Sequence, residues 1–411
     1  MNDGRHRSRR GVLRASAAIA GLGVVAGCVS DDGNGSGNGD GSGNGTENGI
    51  DGNDNETDGN DNGTDGDGNG AEDDDSDDAS SGSYAVTMEP VGTVEFDSVP
   101  ETWAANNGSW ADMGIALGQE PPEAVYLTSR YHTQYYDEIP GVSVDKSDTT
   151  SLWEGELDPE EFLALSEGVD VFVMDPNFPV GRTDHWDESD IERIEATGTP
   201  FFGNSIFSRD YGWHDDYEYL TLYEAFEKLS QVFQEEQRYT AFESLHDEFQ
   251  DEVEAVVPPA GDRPDVAILW PAGDGAFYPY TIDEGTSFKQ WRDLGVTDAL
   301  GEAGVSDFLS DRGTIDYENL LEIDPEVLLL RSHEALSAEE FREEVVAEME
   351  THSVASDLTA VQNGDVYRGG PLYQGPIANL VLTERGAQQL YDVDEELFDR
   401  QEVSDIVDGD F

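Results

Sequence analysis

Between Tyr217 and Val256 the chain runs for forty residues without a proline or a glycine. Tyr219, Tyr223, Phe226, Phe233, Phe242, Leu245, Phe249 and Val253 recur along it at mostly helical spacing. Pro258-Pro259 then stops the helix. Divided near Gln234, the stretch becomes a helix closing one half of the chain, then a single helix from about Glu235 to Val256. A second half begins after it. The apolar stripe is read as core and takes no ligand role.

Both halves alternate short apolar runs with helical stretches, the pattern of an α/β architecture with parallel sheets. In the first half, Ala124–Leu127, Val169–Met174 and Phe201–Phe202 read as strands. Trp110–Leu117 and Asp158–Leu165 read as helices, the latter opened by Asp-Pro-Glu. In the second half, Asp265–Trp270, Val327–Leu330 and Val366–Arg368 read as strands. Helices are expected at Ser287–Leu294, Tyr317–Ile323, Ala338–Glu350 and Ile377–Tyr391. The expected organisation is two Rossmann-like lobes, 84–233 and 257–411, joined by one long helix over 234–256.

The first 83 residues read differently. Ser8-Arg9-Arg10-Gly11-Val12-Leu13-Arg14 precedes a weakly apolar stretch from Ala15 to Gly27. The pair of arginines matches a twin-arginine export signal. The apolar stretch is shorter than the roughly 20 residues a membrane-spanning helix needs. Val25-Ala26-Gly27-Cys28 resembles a lipobox, so residues 1–28 are expected to be a signal peptide, with lipid attached at Cys28 on the outer face of the cell membrane. Cys28 is the only cysteine, so no disulfide within the chain is possible. Residues 29–83 are Gly, Asn, Asp, Ser and Thr with almost no apolar side chains. Such a segment buries too little apolar area to offset its chain entropy and reads as a disordered acidic tether.

The formal charge is -70, and only three lysines occur: Lys146, Lys228 and Lys289. Residues 81–411 alone hold 73 acidic against 16 basic residues. Molar salt shortens the Debye length to about 3 Å and screens that repulsion, so the composition reads as adaptation to high salt. No basic stripe exists to neutralise phosphates, which argues against nucleic-acid binding. No Gly-x-Ser-x-Gly elbow, P-loop or Gly-x-Gly-x-x-Gly follows a strand, so an enzyme is not expected.

An internal echo links the halves. Asp158-Pro-Glu-Glu-Phe-Leu-Ala-Leu runs into the Val169 strand, and Ile315-Asp-Tyr-Glu-Asn-Leu-Leu-Glu-Ile-Asp-Pro runs into the Val327 strand. With Trp110–Gly118 (WADMGIALG), the lobe-bridging helix and Val361–Pro371 (VQNGDVYRGGP), these segments resemble the iron(III)-siderophore and cobalamin class of ABC solute-binding proteins, periplasmic-binding-protein class III, in a haloarchaeal form. The resemblance covers roughly residues 84–396. It implies a ligand held in a cleft between two lobes, delivery to an ABC permease and its ATPase, no cofactor and a monomer. It also implies one exposed glutamate per lobe that docks on the permease, here Glu160 and Glu318. Two helix-terminal acids favoured by the helix dipole are the plainer reading of the same residues.

In open α/β sheets ligands bind beyond the carboxyl ends of the strands. That rule selects Arg130, Tyr131 and His132 after the first strand, Arg209 after Phe202, and Tyr278 and Tyr280 after Asp265–Trp270, with Trp270 at that strand's end as a further candidate wall. It also selects Arg331 after Leu330, and Tyr373 in the Gly369–Gly375 loop. Guanidinium groups match the oxygens of an anionic iron(III) chelate, and aromatic walls exclude water around it. Surface salt bridges for the arginines and core packing for the aromatics are the alternatives. Haem, cobalamin or a bare metal ion stay open as ligands, as does a non-transport surface lipoprotein. His132, His185, His214 and His333 show no metal-ligand spacing, so no metal site is assigned.

Overall fold

Strand pairing in the computed structural model produces two separate sheets, one on each side of the Pro- and Gly-free stretch. The structure describes residues 82–153, 155–209, 211–214, 216–308 and 313–411. The expected signal peptide, the lipidation site Cys28 and all but the end of the tether lie outside the described residues.

A hairpin of β1 (Tyr84–Met88) and β2 (Gly92–Phe96) precedes the first sheet. That sheet comprises β3 (Trp103–Ala105), β4 (Ala124–Val125), β5 (Thr150–Ser151) and β6 (Val171–Val173), parallel in the order β5–β4–β3–β6. Phe201 extends it by a parallel bridge to Phe172. The second sheet holds β7 (Asp265–Gly273), β8 (Ala276–Tyr280), β9 (Thr297–Asp298), β10 (Ile315–Asp316), β11 (Val327–Leu330) and β12 (Val366–Arg368). Its order is β10–β8–β7–β11–β12, with β9 beside β7.

This second sheet is mixed, where a parallel one was expected. β8 runs antiparallel to β7, because Asp274 and Gly275 both adopt positive φ (51° and 76°). An Asp-Gly pair at positive φ is the two-residue hairpin turn whose twist suits paired strands. Tyr278 and Tyr280 therefore sit in a strand and not in the loop where the sequence reading placed them.

Alternation sorts side chains between layers, as the period of two requires. Trp103, Ala105, Val171 and Val173 join one large apolar cluster, while Ala104 and Phe172 face a second. In the other sheet Val266, Ile268, Val327 and Leu329 join that same large cluster, and Ala267, Leu269, Leu328 and Leu330 face a third. One continuous core thus passes through both lobes, and each sheet has its own core on its outer face.

The helices flank these sheets. α1 (Gly108–Ala116) starts at Asn107, whose side chain accepts the Ser109 N–H. α2 (Pro159–Leu165) starts at Asp158, α3 spans Asn177–Arg182 and α4 spans Glu188–Glu195. α5 (Leu222–Phe233) begins in a Thr221/Glu224 capping box, so the helix starts at Leu222 and not at Tyr217. Gln234 at φ 55° breaks it from α6 (Glu236–Val256), which buries a single stripe of Phe242, Leu245, Phe249 and Val253. Expected Ser287–Leu294 resolves into a 3-10 turn, Thr286–Phe288, and α7 (Lys289–Asp293). Ala338–Glu350 contains a π-helical turn at Arg342–Val346. The Tyr317–Ile323 helix matches expectation, and the last long helix, Pro376–Tyr391, starts one residue early. Among the described residues no helix is long and apolar enough to cross a membrane.

Candidate functional site

The loops at the carboxyl ends of β4, β6, β7 and β12 bring together cations and aromatic rings from both sheets. After β4 a single 3-10 turn, Thr128–Arg130, aims Arg130 across the lobe boundary. Its guanidinium lies 5.2 Å from the ring centroid of Trp270, near the end of β7. Both residues are half-buried. Arg130 also neighbours the Tyr373 side chain, whose hydroxyl burial pushes up while the Arg130 charge opposes it. Phe207 of the first lobe meets Tyr373 edge to face at 5.1 Å. Trp270, Tyr373, Arg130 and Phe207 thus form one face to which each lobe contributes two residues.

That face continues into an aromatic wall in the first lobe. Phe178 of α3 packs edge to face with Tyr126 (5.2 Å) and Tyr211 (6.3 Å), and Tyr211 stacks on Trp213 at 4.3 Å. Arg182, at the end of α3, lies near the phenols of Tyr126, Tyr211 and Tyr373. Burial disfavours its charged form, but these phenols outweigh that and hold it above the ordinary arginine value. Sequence reasoning missed Arg182, Tyr126, Phe207 and Trp213. Arg182 lies well beyond the strand it serves and reaches the cleft only because α3 carries it back. Asp175-Pro176, directly after β6, was the available signal.

The remaining candidates divide. Arg209 lies 4.3 Å from the Tyr219 ring centroid and donates from Nη2 to the carbonyls of Leu220 (3.3 Å) and Glu284 (3.0 Å). It ties a first-lobe loop to the second lobe. Burial lowers its pKa. Tyr278 is half-buried against Phe308 at 4.2 Å. Tyr280 is buried, with Arg331 directly behind it.

Arg331 itself is 0% exposed. It donates from Nη1 to Ser287 Oγ and from Nη2 to the Ser287 carbonyl, both at 2.8 Å, and lies over the Phe288 ring at 4.6 Å. Burial pulls it down to about 10. Its guanidinium is enclosed, so the structure puts Arg331 behind the wall and not in it. Tyr131 is likewise 1% exposed, its hydroxyl 3.3 Å from that of Tyr136. His132 is half-buried, and burial lowers it despite the opposing charge of Glu334.

Glu160 and Glu318 are both exposed in the first turns of short helices that feed buried strands, α2 and Tyr317–Ile323. Glu160 is paired with Arg193 at 2.8 Å. Two concavities, of about 610 Å³ beside Asp265 and Asn319 and about 420 Å³ beside Asp170 and Thr199, lie at the opposite ends of the strands. Among the described residues no arginine lines either one. Among the described residues no group of three or more His, Cys, Asp or Glu side chains is placed to hold a metal ion.

Sequence and structure comparisons bear on this arrangement. A profile described as periplasmic binding protein matches residues 113–372. No curated protein matches the chain. The siderophore-binding protein BauB, solved with two molecules of acinetobactin and ferric iron, is 18% identical with a TM-score of 0.52, covering 76% of this chain and 100% of its own. The iron-uptake system-binding protein FeuA from Bacillus subtilis is 14% identical with a TM-score of 0.52, covering 74% of this chain and 99% of its own. A periplasmic solute binding protein from Mycobacterium smegmatis is 13% identical with a TM-score of 0.52, covering 76% of this chain and 99% of its own. At these identities the likeness is one of fold.

Proposed function

The chain belongs to the periplasmic binding protein family, and from that premise we propose that it captures an anionic iron(III) chelate outside the cell and hands it to an ABC permease. It is a solute-binding protein and not an enzyme, and its family carries a transported ligand in place of a cofactor. The observation that carries the ligand assignment is Arg130 over Trp270, beside Tyr373. A cation and two aromatic rings meet where the carboxyl ends of strands from both sheets converge, and Arg182 adds a second cation. Guanidinium groups recognise chelate oxygens bidentately, while the rings cover the body of the complex.

The rest of the reading follows from the sequence. Lipidation at Cys28 after twin-arginine export would hold the chain at the membrane, with residues 29–83 giving reach. Glu160 and Glu318 would meet cationic groups of the permease, Glu160 exchanging its Arg193 partner in doing so. The acid excess fits a salt-adapted, haloarchaeal cell and a monomer held soluble by charge.

The test is a titration of the full chain in molar potassium chloride with ferric tris-catecholate and ferric hydroxamate complexes, haem and cobalamin. Tryptophan fluorescence is the readout, since Trp270 and Trp213 lie on the wall. Saturable quenching by a ferric chelate, weakened at least tenfold by Arg130→Ala and by Arg182→Ala, is expected. Binding only of haem or cobalamin would replace the iron assignment. Silence across the panel from folded protein would end it.

A further inference from the structure

Helix α1 belongs to the first lobe, yet one of its faces grips the ligand-facing segment of the second. A Cβ on Gly108 would stand 3.3 Å from Cβ of Tyr373. The Gln374 N–H donates to Ser109 Oγ at 3.1 Å, and the Ala378 N–H donates to Asp112 Oδ2 at 3.0 Å. The Gly375 and Ile377 N–H groups and the Tyr136 hydroxyl stand round the same carboxylate. Position 375 is glycine for steric reasons: a Cβ there would meet Asp112 Cβ at 2.6 Å and the Ser109 carbonyl at 2.7 Å. The first N–H groups of any helix lack partners within it. For Pro376–Tyr391, whose Gly375 cap offers no side chain, the partner comes from the other lobe.

We propose that Asp112 is a positioning residue of the ligand cleft: from α1 it clamps the Tyr373–Ala378 segment, and its ionisation sets how readily that segment opens. The ligand consequence rests on the reading of the Arg130–Tyr373 face given above; the clamp does not. Asp112 is 1% exposed. Burial pushes its carboxyl up to about 6, against the pull of the surrounding N–H and hydroxyl donors.

The titratable groups that sense Asp112 are Tyr131 and Tyr136 beside it and Tyr223 of α5. Burial raises all three phenols, so they stay neutral through the physiological range. His246, 4.0 Å from the Tyr223 ring, is held down to about 3 by burial and Lys289 and stays neutral too. Asp112 is therefore the group of this set that titrates near pH 6.

Opening the segment returns the carboxyl to water and its ordinary value of 3.8. The closed form thus binds a proton more tightly than the open one. By linkage, opening becomes more frequent as pH rises through that window, about tenfold between pH 5 and pH 8. At neutral pH the ionised group keeps the segment in register by hydrogen bonds, while its desolvation lowers the barrier to opening. A wall that must admit and release cargo needs both properties.

Hydrogen exchange read by mass spectrometry on the full chain in molar potassium chloride tests this between pH 5 and pH 8, with rates corrected for intrinsic chemistry. Peptides spanning 369–380 should open about tenfold more often at pH 8 in the wild type. Asp112→Asn should give a flat profile with protection retained, and Asp112→Ala fast exchange at every pH. Peptides from α6 and β11 should change less than 369–380 in both, following global stability alone. A wild-type pH profile surviving in Asp112→Asn would overturn the proposal. So would loosening of α6 equal to that of 369–380 in Asp112→Ala, because Asp112 would then be a strut of the core. Since no ligand is needed, a chain that binds none of the complexes offered and still shows this profile would lose the iron assignment and keep the clamp.

Discussion

Asp112 and Glu334 are both at most 2% exposed, and both reach across the lobe boundary. Asp112 of the first lobe caps a helix of the second, while Glu334 of the second accepts the Tyr135 hydroxyl of the first at 2.6 Å. Their carboxyls move in opposite directions. Burial is the largest influence on each and acts upward on both. At Glu334, Arg385 (3.0 Å), Tyr135 and Arg368 together outweigh it and hold the group below its ordinary value. Asp112 has only dipoles for company and stays high. Depth of burial sets the size of the stakes, and the presence of a cation decides the sign.

The sharpest way to break this contrast is to take the cation from Glu334. Arg385→Ala leaves a buried charge unpaired and should destabilise the fold by about 3–5 kcal/mol, read from urea midpoints in molar salt. A loss below about 1 kcal/mol would mean the pair is solvated. The sign also fixes pH dependence: a depressed carboxyl stabilises above its unfolded value, and that contribution disappears as pH falls through the folded one.

Next in size is Gly375→Ala. The new methyl would collide with α1, and overpacking of this kind costs about 1–3 kcal/mol. Thermal unfolding would show it, and an unchanged midpoint would mean that α1 yields easily. Smaller again is the Asp112 contribution to global stability. Its raised folded value means stability falls with rising pH, by about 1.4 kcal/mol between pH 5 and pH 8, and Asp112→Asn should remove that slope. A pH–stability profile identical in the two proteins would refute it. The smallest effect expected is at Tyr223, whose buried hydroxyl has no hydrogen-bond partner among the described residues. Tyr223→Phe should be neutral or stabilising by up to about 1 kcal/mol. A marked loss would reveal a partner for that hydroxyl.

Element types were legible in the sequence wherever pattern and cap agreed. Val327–Leu330 and Tyr317–Ile323 were read to the residue because a buried run and an Asp316 cap bound them. β3 was not read: three residues, Trp103–Ala105, are too few to establish a period, and only their parallel neighbours make them a strand. Tyr217 and Tyr219 were counted into a helix because aromatic spacing cannot reveal that they pack round His214 instead. At the site, Arg130 and Trp270 were found from the strand-end rule, but their contact was not, since it depends on how the two lobes meet. Arg331 looked equivalent to Arg130 in sequence. Burial separated them, because Ser287, Tyr280 and Phe288 close round one and not the other.

The disposition of the cations has a kinetic consequence. Arg331 is enclosed, Arg385 and Arg400 are bound to the buried Glu334 and Glu384, and Lys289 is paired with Asp293. Each such pair cancels one acid with one cation, so the field beyond the surface follows the excess of 73 acidic over 16 basic residues in 81–411 and is strongly negative. On the proposed assignment, an anionic chelate approaching the cleft would be repelled at long range and attracted only within the last few ångströms, at Arg130 and Arg182. Added salt collapses the first effect before the second. Association should therefore accelerate as ionic strength rises, the reverse of ordinary electrostatic steering, and capture would be fastest in brine.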